Sequence, residues 1–218
     1  METSESLRTG RLSVVLPAYN EEESVPLAAD VIGNLLTRAG IDHELIFVND
    51  GSRDHTWRAI QEAAARRPQV RGIRFSRNFG KEAAIFAGLA QARGDCCVVL
   101  DCDLQHPPEK ILEMYSLWQQ GWQVGEGIKV SRGKENPLHT LAAKTFYRFL
   151  SGATRLDMSH ASDFKLLDRR AVDVLVAMRE KNAFFRALSS WIGFDTTQVD
   201  LEVQPRAAGE SKWSLRIL

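Results

Sequence analysis

Nine residues, Asp101-Cys102-Asp103-Leu104-Gln105-His106-Pro107-Pro108-Glu109, carry the densest chemistry in this chain. They follow the apolar run Cys96 to Leu100, which predicts a buried β-strand and puts both aspartates at its exit into a loop. In extended chain residues two apart point the same way, so Asp101 and Asp103 are expected on one face. Two carboxylates so placed repel each other unless a divalent cation lies between them and a ligand. Oxygen donors of this type suit Mg²⁺ or Mn²⁺, which commonly share their coordination with phosphates. Gln105 offers a further, neutral oxygen. Pro107 and Pro108 stiffen the exit and start the next helix. The plainer alternative is a solvated acidic turn, which an isolated D-x-D would favour.

Three more polar segments follow apolar runs in the first half: Pro17-Ala18-Tyr19-Asn20-Glu21, Asn49-Asp50-Gly51-Ser52, and Ser76-Arg77-Asn78-Phe79-Gly80-Lys81. Any one of them would pass as turn chemistry, Asp50-Gly51 and Asn78-Phe79-Gly80 especially. Together with the aspartate pair they predict one cleft along the carboxyl edge of a sheet. No G-x-G-x-x-G follows the first strand and no Walker loop is present, which disfavours nicotinamide and P-loop sites. Asp50 suits a base or ribose, and Asp101 with Asp103 a metal-bound diphosphate.

The elements that must position these segments alternate. Strands are predicted at 12–16, 44–48, 70–75 and 96–100. Helices are predicted at 24–38, 54–66, 81–92 and 108–120, with Ser24 as N-cap of the first and Pro26 in its first turn. This is the signature of an α/β fold: a mainly parallel sheet flanked by helices on both faces. The second half is less regular, with strands expected at 123–130, 164–167 and 197–203. Its helices are expected at 138–150, 169–178 and 184–192. No repeat, low-complexity tract or linker divides the chain, so a single domain is expected.

The 218 residues suffice for a sizeable core, and a net charge of zero gives no overall field to attract nucleic acid. Cys96, Cys97 and Cys102 are read as reduced thiols, with Cys102 turned away from the aspartates and structural. The five histidines, His43, His55, His106, His139 and His160, show no ligand spacing; His106 is assigned to bracing the aspartate loop. Trp118, Trp122 and Trp191 are assigned to packing. The N-terminus lacks the apolar core of a signal peptide, and no run approaches the ~20 apolar residues of a membrane span. The end, Lys212-Trp213-Ser214-Leu215-Arg216-Ile217-Leu218, is basic, aromatic and apolar: a surface helix end, or the approach to a membrane.

Taken in order, LSVVLPAYNEEESV, VNDGSRDHT, FSRNFGKEAAIFAGL and DCDLQHPPE resemble the nucleotide-binding half of family 2 glycosyltransferases. SDFKLLDRRAVD, REKNAFFRALSSWIGF and RAAGESKW resemble the polyprenyl-phosphate branch, which holds dolichyl-phosphate mannose synthases and undecaprenyl-phosphate glucosyltransferases. The likeness covers residues 11–216 and implies a glycosyltransferase A-type fold. It divides the chain into a nucleotide-binding half, 11–120, and an acceptor half, 121–216, with C-terminal interfacial helices. It implies a metal-dependent, inverting transfer of a sugar from a nucleotide-diphosphate sugar to a polyprenyl phosphate, with a UDP-sugar preferred over GDP-mannose. Pro17, Tyr19, Glu21 and Asp50 would hold the nucleoside, with Asp101 shared between nucleotide and metal. Asp101, Asp103 and Gln105 would hold Mg²⁺ or Mn²⁺. Asp163 would face donor sugar and acceptor, and Arg206 and Lys212 would contact phosphates from a C-terminal loop hinged at Gly209.

Three positions depart from the family pattern: Asn49 in place of an aspartate, and Lys129 and Lys165 in place of arginines. Lysine keeps the charge but loses bidentate phosphate geometry. The expected setting is the cytoplasmic face of a membrane, as the catalytic part of a longer protein or a short form resting on the surface. Oligomeric state is open, a homo-oligomer included. Transfer to a polysaccharide or other glycan, or a non-catalytic sugar-nucleotide-binding subunit, are the competing expectations.

Overall fold

The computed structural model describes residues 7–129, 162–178 and 184–201. Seven strands, β1 (Leu12–Ala18), β2 (His43–Asn49), β3 (Val70–Arg74), β4 (Cys96–Val99), β5 (Val124–Lys129), β6 (Lys165–Asp168) and β7 (Thr196–Leu201), form one sheet. Six helices are described: α1 (Ser24–Arg38), α2 (Thr56–Arg66), α3 (Lys81–Gln91), α4 (Lys110–Gln119), α5 (Arg169–Ala177) and α6 (Phe185–Trp191). The alternation expected for the first half is borne out, with boundaries shifted by a few residues. The expected helix at 138–150 lies outside the described residues.

The strand order is β3-β2-β1-β4-β6-β5-β7. β1, β2, β3 and β4 run parallel, and β5 and β7 pair in parallel, while β6 is antiparallel to both β4 and β5. β1 and β2 are buried along their whole length, which explains continuous apolar runs instead of alternation. Pro17 sits within β1 although it has no N–H to donate. Pairing with β4 spans only Leu12 to Val15, so Pro17 lies beyond it.

Helices cover both faces. Ile32, Leu36, Ile60, Ile111 and Trp118 join Phe47 and Phe164 in one core cluster, and Ile85, Leu89, Leu175 and Phe185 pack in another. α3 lies close on β1: a Cβ on Gly88 would stand 2.3 Å from Val15 Cγ1. At the amino edge of the sheet, fully buried Glu44 accepts from Ser13 Oγ at 2.7 Å, Arg93 N at 2.7 Å and Arg71 Nη1 at 2.6 Å. Burial alone would raise the Glu44 pKa, but these donors outweigh it and hold the carboxyl below its ordinary value.

Two local expectations are corrected. Glu23, not Ser24, is the N-cap of α1, and Ser24 Oγ instead donates to Glu21 Oε2 at 2.6 Å. Trp118 is buried and donates to Asp168 Oδ2 at 3.0 Å, but Trp122 and Trp191 are 40% and 63% exposed and are not core. All three cysteines are free and buried, as expected. Burial pushes the Cys97 thiol up to about 12.

Candidate active site

The loops leaving β1, β2 and β3 are tied into one rim. Asn20, at φ 54°, donates from its backbone to Ser52 Oγ at 2.9 Å and accepts from Arg53 N at 2.8 Å through Oδ1. Glu21 N donates to Thr56 Oγ1 at 2.7 Å, and Glu22 accepts from His55 N at 2.8 Å. Asn49, the residue standing where the family pattern has aspartate, accepts from Ser52 N at 3.1 Å and closes the turn after β2. Asp50 is 3% exposed and uses one oxygen each for Phe79 N, at 2.7 Å, and Gly80 N, at 2.9 Å. It thus anchors the loop ahead of α3. Gly51 has φ 63°, and a Cβ there would stand 2.2 Å from the carbonyl carbon of Arg77, so only glycine lets the two loops meet. Phe79 is half exposed, with the Arg77 guanidinium 4.2 Å from its ring centre, and Tyr19 is 36% exposed on the same rim.

The aspartate pair is shaped differently from the sequence expectation. β4 ends at Val99, and Cys102 and Asp103 form a turn, so strand alternation does not align the carboxylates. Asp103, 6% exposed, accepts from Gln105 N at 3.1 Å, and Leu104 between them takes φ 56°. Asp101 is more open, with its side chain 35% exposed. Cys102 does turn away, its thiol 3.5 Å from Pro17 O, and His106 does brace the loop, stacking on Phe164 at 5.6 Å.

The start of β6 adds a cluster of alternating charge. Asp163, 6% exposed at the mouth of β6, lies 2.7 Å from Lys81 Nζ and is gripped in bidentate fashion by Arg186, with Nε at 2.6 Å and Nη2 at 2.9 Å. Burial alone would raise the Asp163 pKa. Arg186 and Lys81 outweigh it and hold the carboxyl well below the usual carboxylate range. Lys81 Nζ also lies 2.7 Å from Asp101 Oδ1, so one ammonium joins residues 62 positions apart, Asp101 and Asp163. Burial would lower the Lys81 pKa, but the two carboxylates raise it overall. Beside them, Glu82 accepts from Phe185 N at 2.7 Å and fixes the start of α6.

Lys165 takes no part in an open phosphate site. It is fully buried, with Nζ 2.9 Å from Glu126 Oε1, 2.9 Å from Ser189 Oγ and 3.1 Å from Ser190 Oγ. Burial pulls its pKa below the ordinary value even with Glu126 alongside. Capping near Asp163 falls to its neighbours: Ser162 Oγ accepts from Phe164 N, and Asp168 caps α5 by accepting from Arg170 N. Arg206, Gly209 and Lys212 lie outside the described residues, as does the side chain of Lys129. Sequence reasoning gave no role to Lys81 or Arg186. The signal was a lysine opening a helix directly after a polar strand end, in FSRNFGKEAAIF, and a lone charge in the largely apolar FFRALSSW.

Among the described residues no three His, Cys, Asp or Glu side chains group closely enough to hold a metal ion unaided. The donors at Asp101, Asp103 and Gln105 are nonetheless hard oxygens on a loop turned by a positive φ. Donors of this chemical type suit a hard divalent cation such as Mg²⁺ or Mn²⁺.

Residues 13–175 match the model of glycosyl transferase family 2. The chain belongs to that family. It is 40% identical over 205 residues to an uncharacterised glycosyltransferase of Bacillus subtilis (strain 168), covering 94% of this chain and 64% of the relative. It is 34% identical to a bactoprenol glucosyl transferase of Shigella phage SfV, covering 94% and 67%. The chain therefore spans about two thirds of the length of these relatives. Among solved structures, glucosyl-3-phosphoglycerate synthase from Mycobacterium tuberculosis, in complex with Mn²⁺ and UDP, aligns with TM-score 0.60 at 22% identity over 93% of this chain and 73% of its own. A mannosyltransferase from Pyrobaculum calidifontis, in complex with GDP-Man and Mn²⁺, aligns with TM-score 0.62 at 17% identity over 92% and 59%. These likenesses establish the glycosyltransferase A-type fold. Among the described residues no helix is long and apolar enough to cross a membrane.

Proposed function

We propose that this chain transfers a sugar from a nucleotide-diphosphate sugar, with UDP preferred, to a polyprenyl phosphate, inverting the anomeric centre. The observation that carries the reading is the juxtaposition of Asp101 and Asp163 through Lys81, which brings the loop after β4 against the start of β6. Likeness to bactoprenol glucosyl transferases over 94% of the chain supports the lipid phosphate acceptor.

In this reading Pro17, Tyr19, Glu21 and Asp50 form the nucleoside pocket, Asp50 chiefly by holding the Phe79–Gly80 backbone that walls it. Asp101, Asp103 and Gln105 would hold Mg²⁺ or Mn²⁺, which would offset the negative charge gathering on the departing diphosphate. A phosphate monoester has a second pKa of about 6, so the acceptor is mostly ionised at neutral pH and needs little help losing a proton. Asp163, clamped by two cations, is a poor proton acceptor. It serves as a fixed negative charge that orients a sugar hydroxyl and faces positive charge developing at the sugar carbon. An acceptor phosphate oxygen bonds to the anomeric carbon from the face opposite the diphosphate, whose bond breaks with the electron pair leaving on the diphosphate oxygen. Arg206 and Lys212 are assigned to phosphate contact during this step, and the work takes place at a membrane surface, on its cytoplasmic face.

Calorimetric titration with UDP, GDP and their sugars, with Mn²⁺, Mg²⁺ or EDTA, tests the donor half of the proposal. Selective binding that requires metal and is lost in Asp103→Ala is expected. Failure to bind any nucleotide with any metal would overturn it.

A further inference from the structure

A cation already sits between the carboxylates of Asp101 and Asp163, and it belongs to the chain. Lys81 Nζ lies 2.7 Å from Asp101 and 2.7 Å from Asp163. Its backbone is fixed on every side. Asp50 holds the two residues before it, Glu82 after it holds α6, and Gly88 seats α3 directly on β1. The ammonium is delivered to one place, while its four-carbon stem leaves the head free to move.

That charge stands on Asp101, one of the carboxylates assigned to the metal. A bare divalent ion entering the loop must displace the ammonium or bear its repulsion, and it finds too few side-chain ligands among the described residues to repay either. An ion that arrives with a diphosphate brings oxygen ligands and compensating negative charge. Asp163 keeps the ammonium whichever way Asp101 turns, because Arg186 holds that carboxylate in place from the other side.

We propose that Lys81 is a tethered counter-cation that keeps the Asp101–Asp103 loop from taking up a divalent ion until the ion comes with the nucleotide diphosphate. The inference rests on the donor site proposed above. It makes Lys81 a positioning residue: it sets the order in which the site fills and leaves Asp163 with a charge partner once Asp101 is engaged.

The test is calorimetric titration of Mn²⁺ alone, and of Mn²⁺ with saturating UDP or GDP, into the wild-type chain, Lys81→Met, Lys81→Gln and Lys81→Arg. Wild type is expected to bind Mn²⁺ alone weakly and far more tightly with nucleotide. Removing the charge in Lys81→Met is expected to tighten Mn²⁺ alone by about tenfold or more and to shrink the nucleotide enhancement by a matching factor, since coupling is reciprocal. Lys81→Arg keeps the charge and is expected to behave as wild type. Adding Asp103→Ala to Lys81→Met is expected to abolish the gain, which locates it at this loop. Should Lys81→Met fail to melt cooperatively, Lys81→Gln, which retains hydrogen bonding without charge, gives the same comparison. Unchanged or weaker Mn²⁺ binding in the neutral variants overturns the role of Lys81. Absence of nucleotide binding in wild type overturns the donor site itself, so the two failures are distinct.

Discussion

Lys165 offers a sharp test of whether the charge it carries on β6 is structural or meets a phosphate. Its side chain is 1% exposed and that of Glu126 is 12% exposed, with 2.9 Å between Nζ and Oε1. Ser189, Ser190 and the Arg186 carbonyl complete the ammonium's surroundings. Replacing Lys165 by Met leaves Glu126 beside β6 without its counter-charge and the two serines without a donor. Breaking one side of a buried ion pair costs about 3–5 kcal/mol. Replacing both partners, Lys165→Met with Glu126→Gln, removes the stranded charge, and the double variant should recover roughly half or more of that loss. Urea unfolding of wild type, both single variants and the double variant measures the cycle. A coupling of about 2 kcal/mol or more is expected, with acceptor KM in the double variant within a few-fold of wild type. Additive losses, or a stable double variant whose acceptor KM rises tenfold or more, would refute the structural assignment of Lys165.

Asp163→Asn should lower turnover by about a hundredfold or more while leaving donor affinity nearly intact, as steady-state kinetics would show; near-normal turnover would remove both roles given to Asp163. Gly51→Ala forces a side chain into a left-handed position, at about 1–2 kcal/mol, and against the Arg77 backbone. It should lower stability by at least that much and weaken nucleotide binding, read by thermal shift with and without nucleotide. Glu44 has a folded pKa below its unfolded value, so its contribution is present above about pH 4.3 and is lost as pH falls through the folded value. Glu44→Gln should cost about 2–3 kcal/mol at neutral pH and flatten the acid limb of the stability profile; an unchanged acid limb would contradict this.

Much of the fold was legible because each strand in the first half is a short apolar run closed by turn residues and followed by a helical pattern. β6 was found from a brief apolar stretch and β7 from the alternation of Val199 and Leu201 with polar residues, but their direction and order were not. Nothing local tells Lys165 to Asp168 to run antiparallel between β4 and β5. The residues proposed for the donor side were legible because they gather at strand ends. Their geometry was less so: the turn at Cys102–Asp103 replaced the expected strand alternation, and Asp50 proved to be tied to the Phe79–Gly80 backbone. Lys81 was noticed only as the end of a cleft segment and Arg186 not at all, because their partner, Asp163, lies 82 and 23 residues away, and only the folded sheet brings them together. Trp191 was misjudged for a similar reason, since an aromatic at the end of a seven-residue helix gives no local sign of which way it faces.

The most direct test of the central claim is sugar transfer itself. The purified chain, in detergent with a short-chain polyprenyl phosphate and Mn²⁺ or Mg²⁺, is supplied with radiolabelled UDP-sugars and GDP-mannose. The proposed reaction predicts label in the lipid fraction as a sugar phosphodiester, dependent on metal and on a free phosphate on the lipid, and abolished in Asp101→Ala. Transfer to a glycan acceptor instead, with none to the lipid phosphate in the same preparation, would contradict it.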